Sequence, residues 1–310
     1  MNLLNRLLTG CLSIQGRFYD AAIQCGCSLI GLKADRVTAG DIEFALLRGG
    51  KAEGQTILMV HGFGAGKDNW LQLAADLRKD YQIIAIDLVG HGESSLEADI
   101  HGQPLDFLIP SQMERLKTLL DALNLDKVHL MGSSMGGAIS LLFAAAYPER
   151  LHSLTLLNNA GIDTPEPSEF FQLLDKGENP LIVRKTGDFI RLVDLVMSRK
   201  PWTLWLVASI LERRALERTH LNDRIFADML KSREIIGAPE QMEAILASIF
   251  MPVLVIWGSE DRVLHTSSVE VMQQHIPNMQ AVILPGIGHV PMMEAPNSVG
   301  NAFRKFVKTL

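Results

Sequence analysis

Cysteine is scarce: three residues in 310, all within the first 27 (Cys11, Cys25 and Cys27). No disulfide framework can brace the remainder of the chain. Cys25-Gly26-Cys27 lacks the two-residue spacing of a thiol redox pair, and no second cluster completes a zinc site. Basic excess is also missing. The formal net charge is −6, and no basic run interleaves with aromatics, which argues against a nucleic-acid partner. There is no internal repeat, so stacked-repeat architectures are excluded. Arg6, Arg17 and Asp20 interrupt the apolar N-terminal region, so a conventional membrane-spanning helix is not indicated there. What remains is an ordinary globular balance, 47% hydrophobic and 21% charged, enough for one large core or a core with an insertion.

From about residue 40, short apolar runs alternate with amphipathic stretches, the mark of a parallel sheet covered by helices. Residues 42–47, 56–60, 83–86, 154–157, 252–257 and 281–284 read as strands, with another around Val128. Residues 70–77, 113–123, 137–147 and 269–275 read as helices, Ser111 being a candidate cap, and a closing helix runs through Phe306. At Asn158 the rhythm breaks. Residues from about 160 to 245 contain no convincing strand and read as several helices.

The most informative segment is Gly132-Ser133-Ser134-Met135-Gly136. It follows an apolar strand and opens an Ala- and Leu-rich helix that Pro148 stops, the setting in which G-x-S-x-G carries a nucleophile. Only Ser134 has glycines at both −2 and +2, which lets strand and helix close on a strained central residue. A serine hydroxyl needs a positioned base, itself oriented by an acid. Gly286-Ile287-Gly288-His289 follows one late strand, and Gly258-Ser259-Glu260-Asp261 follows another. The order Ser134, Asp261, His289 is the one expected of this arrangement. Competing readings are specific: Asp261 as a mere turn residue, or Glu260 or Asp163 as the acid. The other histidines lack such a setting, and His61 reads as a structural residue of its turn.

An acyl-transfer site also needs backbone donors for the oxyanion. The Met135 amide, directly after Ser134, is one. Phe63, in the loop His61-Gly62-Phe63-Gly64 after an early strand, is the second by position. Asp87 to Ser94 forms a glycine-bearing turn but lacks the phosphate-loop pattern, so Asp87 and His91 read as scaffold.

These segments resemble the α/β-hydrolase superfamily. Residues 61–70, Gly132 to Gly137, residues 256–264 and Gly288-His289 are similar to membrane-associated monoacylglycerol lipases and related bacterial lipases and esterases. The resemblance covers about four-fifths of the chain and is weakest where a lid would choose the substrate. It implies an α/β-hydrolase fold: a mostly parallel central sheet flanked by helices, with a helical lid after the sixth strand. The core would be 39–159 and 246–310, the lid 160–245, and 1–38 an amphipathic helical segment. It further implies Ser134 as nucleophile, His289 as base, Asp261 as acid, Phe63 and Met135 as oxyanion donors, and neither cofactor nor metal.

Two segments bear on lipid. Leu3, Leu4, Leu7, Leu8, Cys11 and Leu12 recur at helical spacing, and Leu8 to Cys11 looks like a lipoprotein cleavage site behind too short an apolar region. Either a membrane-surface helix or one packed on the body or on a second subunit fits. Trp202 to Leu211 is an uncharged run between Arg199-Lys200 and Arg213-Arg214, too short to span a bilayer but suited to headgroups or to covering an acyl pocket. The expectation is therefore a serine ester hydrolase of lipid-like acyl esters, membrane-associated rather than freely cytoplasmic. A carbon–carbon bond hydrolase of aromatic ring-cleavage products is the enzymatic alternative, and a non-catalytic acyl-binding protein the alternative outside enzymes.

Overall fold

The protein is described by a computed structural model covering residues 3–94 and 96–310, with side chains described from residue 16 onward. The helical face of Leu3 to Leu12 therefore lies outside the described side chains. Helix α1 (Leu3–Leu29) ends at Gly31, whose φ of +70° turns the chain into strand β1 (Leu32–Ala39). This strand corrects the expectation of one helical segment over residues 1–38. Its side chains are largely exposed and polar, so no apolar run announces it, and backbone pairing along its whole length with β2 (Ile42–Gly50) creates it instead.

Strands and helices then alternate: β3 (Thr56–Val60), α2 (Leu71–Leu77), β4 (Gln82–Ile86), α3 (Ile109–Ala122), β5 (Val128–Ser133), α4 (Met135–Ala146) and β6 (Leu151–Leu157). Ser111 does not cap α3. The helix starts earlier, at Ile109, with Leu108 as the preceding residue and Pro110 in the first turn, where its missing N–H costs nothing. Next come α5 (Glu169–Leu174), α6 (Asp188–Val196), α7 (Leu204–Glu217), α8 (Thr219–Ile236) and α9 (Pro239–Ala247), with no strand among the described residues. The alternation resumes with β7 (Val253–Gly258), α10 (Ser268–His275), β8 (Met279–Leu284), α11 (Pro291–Glu294) and α12 (Pro296–Val307).

The sheet order is β1-β2-β4-β3-β5-β6-β7-β8. Strands β3 to β8 run parallel, while at one edge β2 runs antiparallel beside β4 and β1 pairs antiparallel with β2. Period-2 alternation feeds a core on each face. Leu58, Val60, Leu130, Val253 and Val255 pack toward α3 and α4, while Ile57, Met59, Met131, Leu254 and Ile256 pack toward α2 and α12. Burying each such side chain fully contributes roughly 1.5–3 kcal/mol. The order reverses at β3, with β4 on one side and β5 on the other, and the carboxyl ends flanking such a reversal open a crevice.

Candidate active site

Ser134 sits in that crevice, between the last residue of β5 and the first of α4, at φ 52° and ψ −119°. A non-glycine residue there stores on the order of 1–3 kcal/mol, which only a surrounding structure that over-determines it can hold. The clamp is visible. Ser134 N–H donates to the Leu157 carbonyl at 3.1 Å, and the Ser134 carbonyl accepts from Gly137, Ala138 and Ala160. The glycines are steric requirements: a Cβ on Gly132 would lie 2.4 Å from the Gly136 carbonyl oxygen, and one on Gly136 2.3 Å from the carbonyl oxygens of His61 and Val60.

The Asp261 carboxylate is fully buried behind β7. Its Oδ2 accepts from His289 Nδ1 at 2.8 Å, and its Oδ1 accepts from the amides of Val263 and Leu264 at 2.8 and 3.0 Å. These bonds fix the direction in which the carboxylate points. Glu260 instead bonds its neighbour Ser259, and Asp163 pairs with Arg233, so neither alternative acid meets an imidazole. His289 is held from behind by its own N–H, which donates to the Val196 carbonyl at 2.8 Å. Among the described residues Ser134 Oγ has no hydrogen-bond partner, the His289 ring included. Such contacts commonly tighten only when substrate is bound.

Asn158 joins the parts, and the sequence reading passed over it. Fully buried, it donates from Nδ2 to Asp261 Oδ2 at 2.6 Å and to the Gly288 carbonyl at 3.4 Å, and it accepts the Gly258 N–H at Oδ1. Its φ of 43° is a conformation asparagine tolerates better than most residues. An asparagine after a strand is too common a turn residue to have marked it.

The amides of Phe63 and Met135 have no acceptor among the described residues. Their loops touch, since a Cβ on Gly62 would lie 2.9 Å from the Ser134 Cβ. Met135 N–H also opens a helix, where the backbone dipole favours negative charge. Ser134, Phe63 and Met135 line a cavity of about 480 Å³ that continues past Leu141, Phe170 and Phe226. Among the described residues the charges on its wall are Asp163 and Arg233, paired with each other and substantially exposed.

The remaining polar groups nearby hold loops. His61 Nε2 accepts the Leu88 N–H at 3.0 Å, and His91 Nε2 accepts the Gly64 N–H at 3.2 Å. Burial lowers the pKa of His61, and burial with the neighbouring His61 pushes His91 well down, so both are neutral acceptors. Asp87 accepts the Lys67 ammonium at 2.6 Å and the amides of Lys67 and Glu93. Burial would lower the Lys67 pKa, but Asp87 and Glu93 outweigh it and raise it. His129 is buried in β5 between Ser153 and Gln55, away from the site.

Helix α1 is tied to α7. Arg214 bonds both carboxylate oxygens of Asp20 at 2.8 Å and the Gly16 carbonyl, and its guanidinium lies 5.3 Å from the Tyr19 ring centroid. Lys200 pairs with Asp194, so much of the basic flank of Trp202 to Leu211 is neutralised within the chain. Trp202, Trp205 and Leu206 are exposed. Among the described residues no helix is long and apolar enough to cross a membrane.

Residues 55–296 match the model of the alpha/beta hydrolase fold family. The chain is 30% identical over 276 residues to Lipase 1 of Psychrobacter immobilis, covering 89% of this chain and 83% of that one. It is 30% identical over 295 residues to Monoacylglycerol lipase abhd6-B of Xenopus laevis, covering 91% and 84%. Among solved structures, a membrane phospholipase A described as a bacterial virulence factor superposes with a TM-score of 0.88 at 36% identity, covering 99% of this chain and 96% of that chain.

Proposed function

The chain belongs to the alpha/beta hydrolase fold family, and on that premise we propose that it hydrolyses lipid-like carboxylic esters through an acyl-enzyme on Ser134. The similarity to lipases, monoacylglycerol lipases and a phospholipase A supports a lipid ester as substrate. One observation carries the residue assignment: the buried Asp261–His289 pair at 2.8 Å is bonded by Asn158, next in sequence to Leu157, whose carbonyl accepts the amide of a strained Ser134 that borders an apolar cavity.

In this reading His289 Nε2 takes the Ser134 proton as Oγ attacks the ester carbonyl carbon. The developing oxyanion rests on the Phe63 and Met135 amides, each such donor contributing about 2.7–4 kcal/mol to lowering the barrier. The carbon–oxygen bond breaks and the alcohol leaves with the proton from His289. Water then gives a proton to His289 and attacks the acyl-enzyme, releasing the fatty acid and restoring Ser134. Asp261, fixed by Asn158 and two amides, holds the imidazole tautomer that keeps Nε2 free to accept. The apolar wall accommodates an acyl chain, and residues 160–245 act as the lid over it.

With Asp163 and Arg233 paired to each other, that wall has no unopposed cation among the described residues for an acidic substrate, which disfavours a carbon–carbon bond hydrolase. A membrane surface is the proposed setting, through Trp202, Trp205 and Leu206 beside the docked α1. Ser134→Ala is expected to abolish fluorophosphonate labelling and turnover of p-nitrophenyl esters and monoacylglycerols while leaving the melting temperature unchanged or raised. A retained acylation burst in that variant would refute the assignment.

A further inference from the structure

The loop bearing His289 is bound to the core beneath it through Asp261, Asn158, Ser259 and Glu260, and it is also bound to the inserted helices. Glu294, at the end of α11, aims its carboxylate at backbone amides from two distant segments. Oε2 accepts from Ser198 at 2.9 Å and Arg199 at 2.7 Å, both in the α6–α7 connection, and from Gly288 at 3.1 Å. Oε1 accepts from Gly288 at 3.1 Å and Val290 at 3.4 Å, which flank His289 in sequence. The His289 amide itself donates to Val196, the last residue of α6.

Contact here is close. A Cβ on Gly288 would lie 2.8 Å from both the Ser198 nitrogen and the Val196 carbonyl oxygen, and 2.9 Å from Glu294 Oε1. Packing repeats the connection independently. Phe189 and Val193 of α6 form an apolar cluster with Leu204 and Leu211 of α7, and Val290 and Met293 join that same cluster. The residues beside the imidazole are thus part of the insertion's own small core.

From this we infer that Glu294 is a positioning residue that locks the α6–α7 connection to the histidine loop, so that the placement of His289 depends on where α7 stands. An anionic acceptor shared by four amides is strong and geometrically demanding, and it has no acid–base part in the reaction. Movement of α7, whose Trp205 and Leu206 are exposed, reaches the imidazole through Ser198, Arg199 and Glu294 without touching Ser134 or Asp261. Because the Ser134 hydroxyl lacks a bond to His289 in this structure, that coupling is a route by which the pair closes.

The inference rests on the ester-hydrolase reading for its readout, acylation. The decisive variant is Ser198→Pro, which deletes one donor to Glu294 from the insertion side, far from the site in sequence. Met197 before it is already extended at φ −124° and ψ 125°, as a residue preceding proline must be. Glu294→Gln is its counterpart on the histidine side. Stopped-flow hydrolysis of p-nitrophenyl butyrate gives both burst amplitude and burst rate.

The expected result in both variants is full amplitude with a burst rate lower by about tenfold, KM held within about twofold, and faster tryptic cleavage after Arg199, since small displacements of a catalytic group are costly. A wild-type burst rate in folded Ser198→Pro overturns the inference. So does reduced amplitude at wild-type rate, which marks a merely structural role. Absence of any p-nitrophenyl butyrate turnover by the wild-type protein would instead sink the ester-hydrolase reading itself.

Discussion

Replacing Asn158 by alanine tests whether the proposed acid, Asp261, is held in place by a residue outside the proposed serine–histidine–aspartate set. The side chain is fully buried and bonds a buried carboxylate at 2.6 Å, so its loss removes a charge-assisted hydrogen bond of about 1.5–3 kcal/mol. The Gly258 amide loses its acceptor, a 3.3 Å bond, at a cost near the low end of roughly 1–3 kcal/mol. Alanine at φ 43° adds about 1 kcal/mol of backbone strain. The total is about 4 kcal/mol, a large share of the roughly 5–15 kcal/mol that keeps a domain folded. A drop in melting temperature on the order of 10 °C follows for a chain of this size.

With Asn158 gone, Asp261 Oδ2 is left to His289 alone and its plane is free to rotate. kcat/KM for p-nitrophenyl butyrate should fall about 10- to 100-fold, at an unchanged active-site titre. Asn158→Asp provides the charge control. A second carboxylate placed at the present 2.6 Å would repel Asp261 by about 6 kcal/mol at an effective dielectric of 20, so one of the two takes up a proton. A carboxyl protonated more readily in the folded state makes that variant's deficit grow as pH rises. A melting temperature within about 2 °C and activity within about threefold of wild type for Asn158→Ala would refute the reasoning, because a bond of 1.5–3 kcal/mol could not then exist there.

Three further outcomes are expected. Gly136→Ala drives a methyl into two carbonyl oxygens 2.3 Å away, so it should cost at least about 1–3 kcal/mol and cut activity, read by urea unfolding and active-site titration. Burial, with His152 beside it, holds the folded pKa of His129 at about 4 against 6.5 unfolded. The unfolded chain therefore takes up the proton first, and about 3 kcal/mol of stability is lost as pH falls from 6.5 to 4, with none lost above 6.5. Urea midpoints measured across that window should lose this slope in His129→Gln. Trp202→Ser with Trp205→Ser should weaken sedimentation with phosphatidylglycerol vesicles severalfold while sparing p-nitrophenyl butyrate turnover, and unchanged sedimentation would remove those tryptophans from the proposed membrane surface.

What could be read from the sequence was local. A strand, a glycine-bracketed serine and a helix are contiguous, so Ser134 announces itself, and Asp261 and His289 each follow an apolar strand within a few residues. The proposed roles of the Phe63 and Met135 amides rest on the same short-range logic. Strand β1 escapes because an edge strand is wetted on both sides and Leu32–Ala39 carries charges instead of an apolar alternation. Asn158 and Glu294 escape for a different reason. Their partners lie about a hundred residues away, and neither residue type is unusual at a strand end or in a first helical turn. The cavity's wall combines residues from α4, α5 and α8, an assembly that periodicity within any one helix does not encode.

The backbone angle at Ser134 has a consequence for how this protein would change under selection. Glycine is the residue best suited to φ 52°, so Ser134→Gly should unfold at a higher temperature than the parent while losing the proposed nucleophile. A population screened for heat tolerance alone, with no demand on turnover, would discard the hydroxyl early. Thermal hardening of this enzyme must therefore proceed at sites remote from the elbow, under a screen that keeps asking for product.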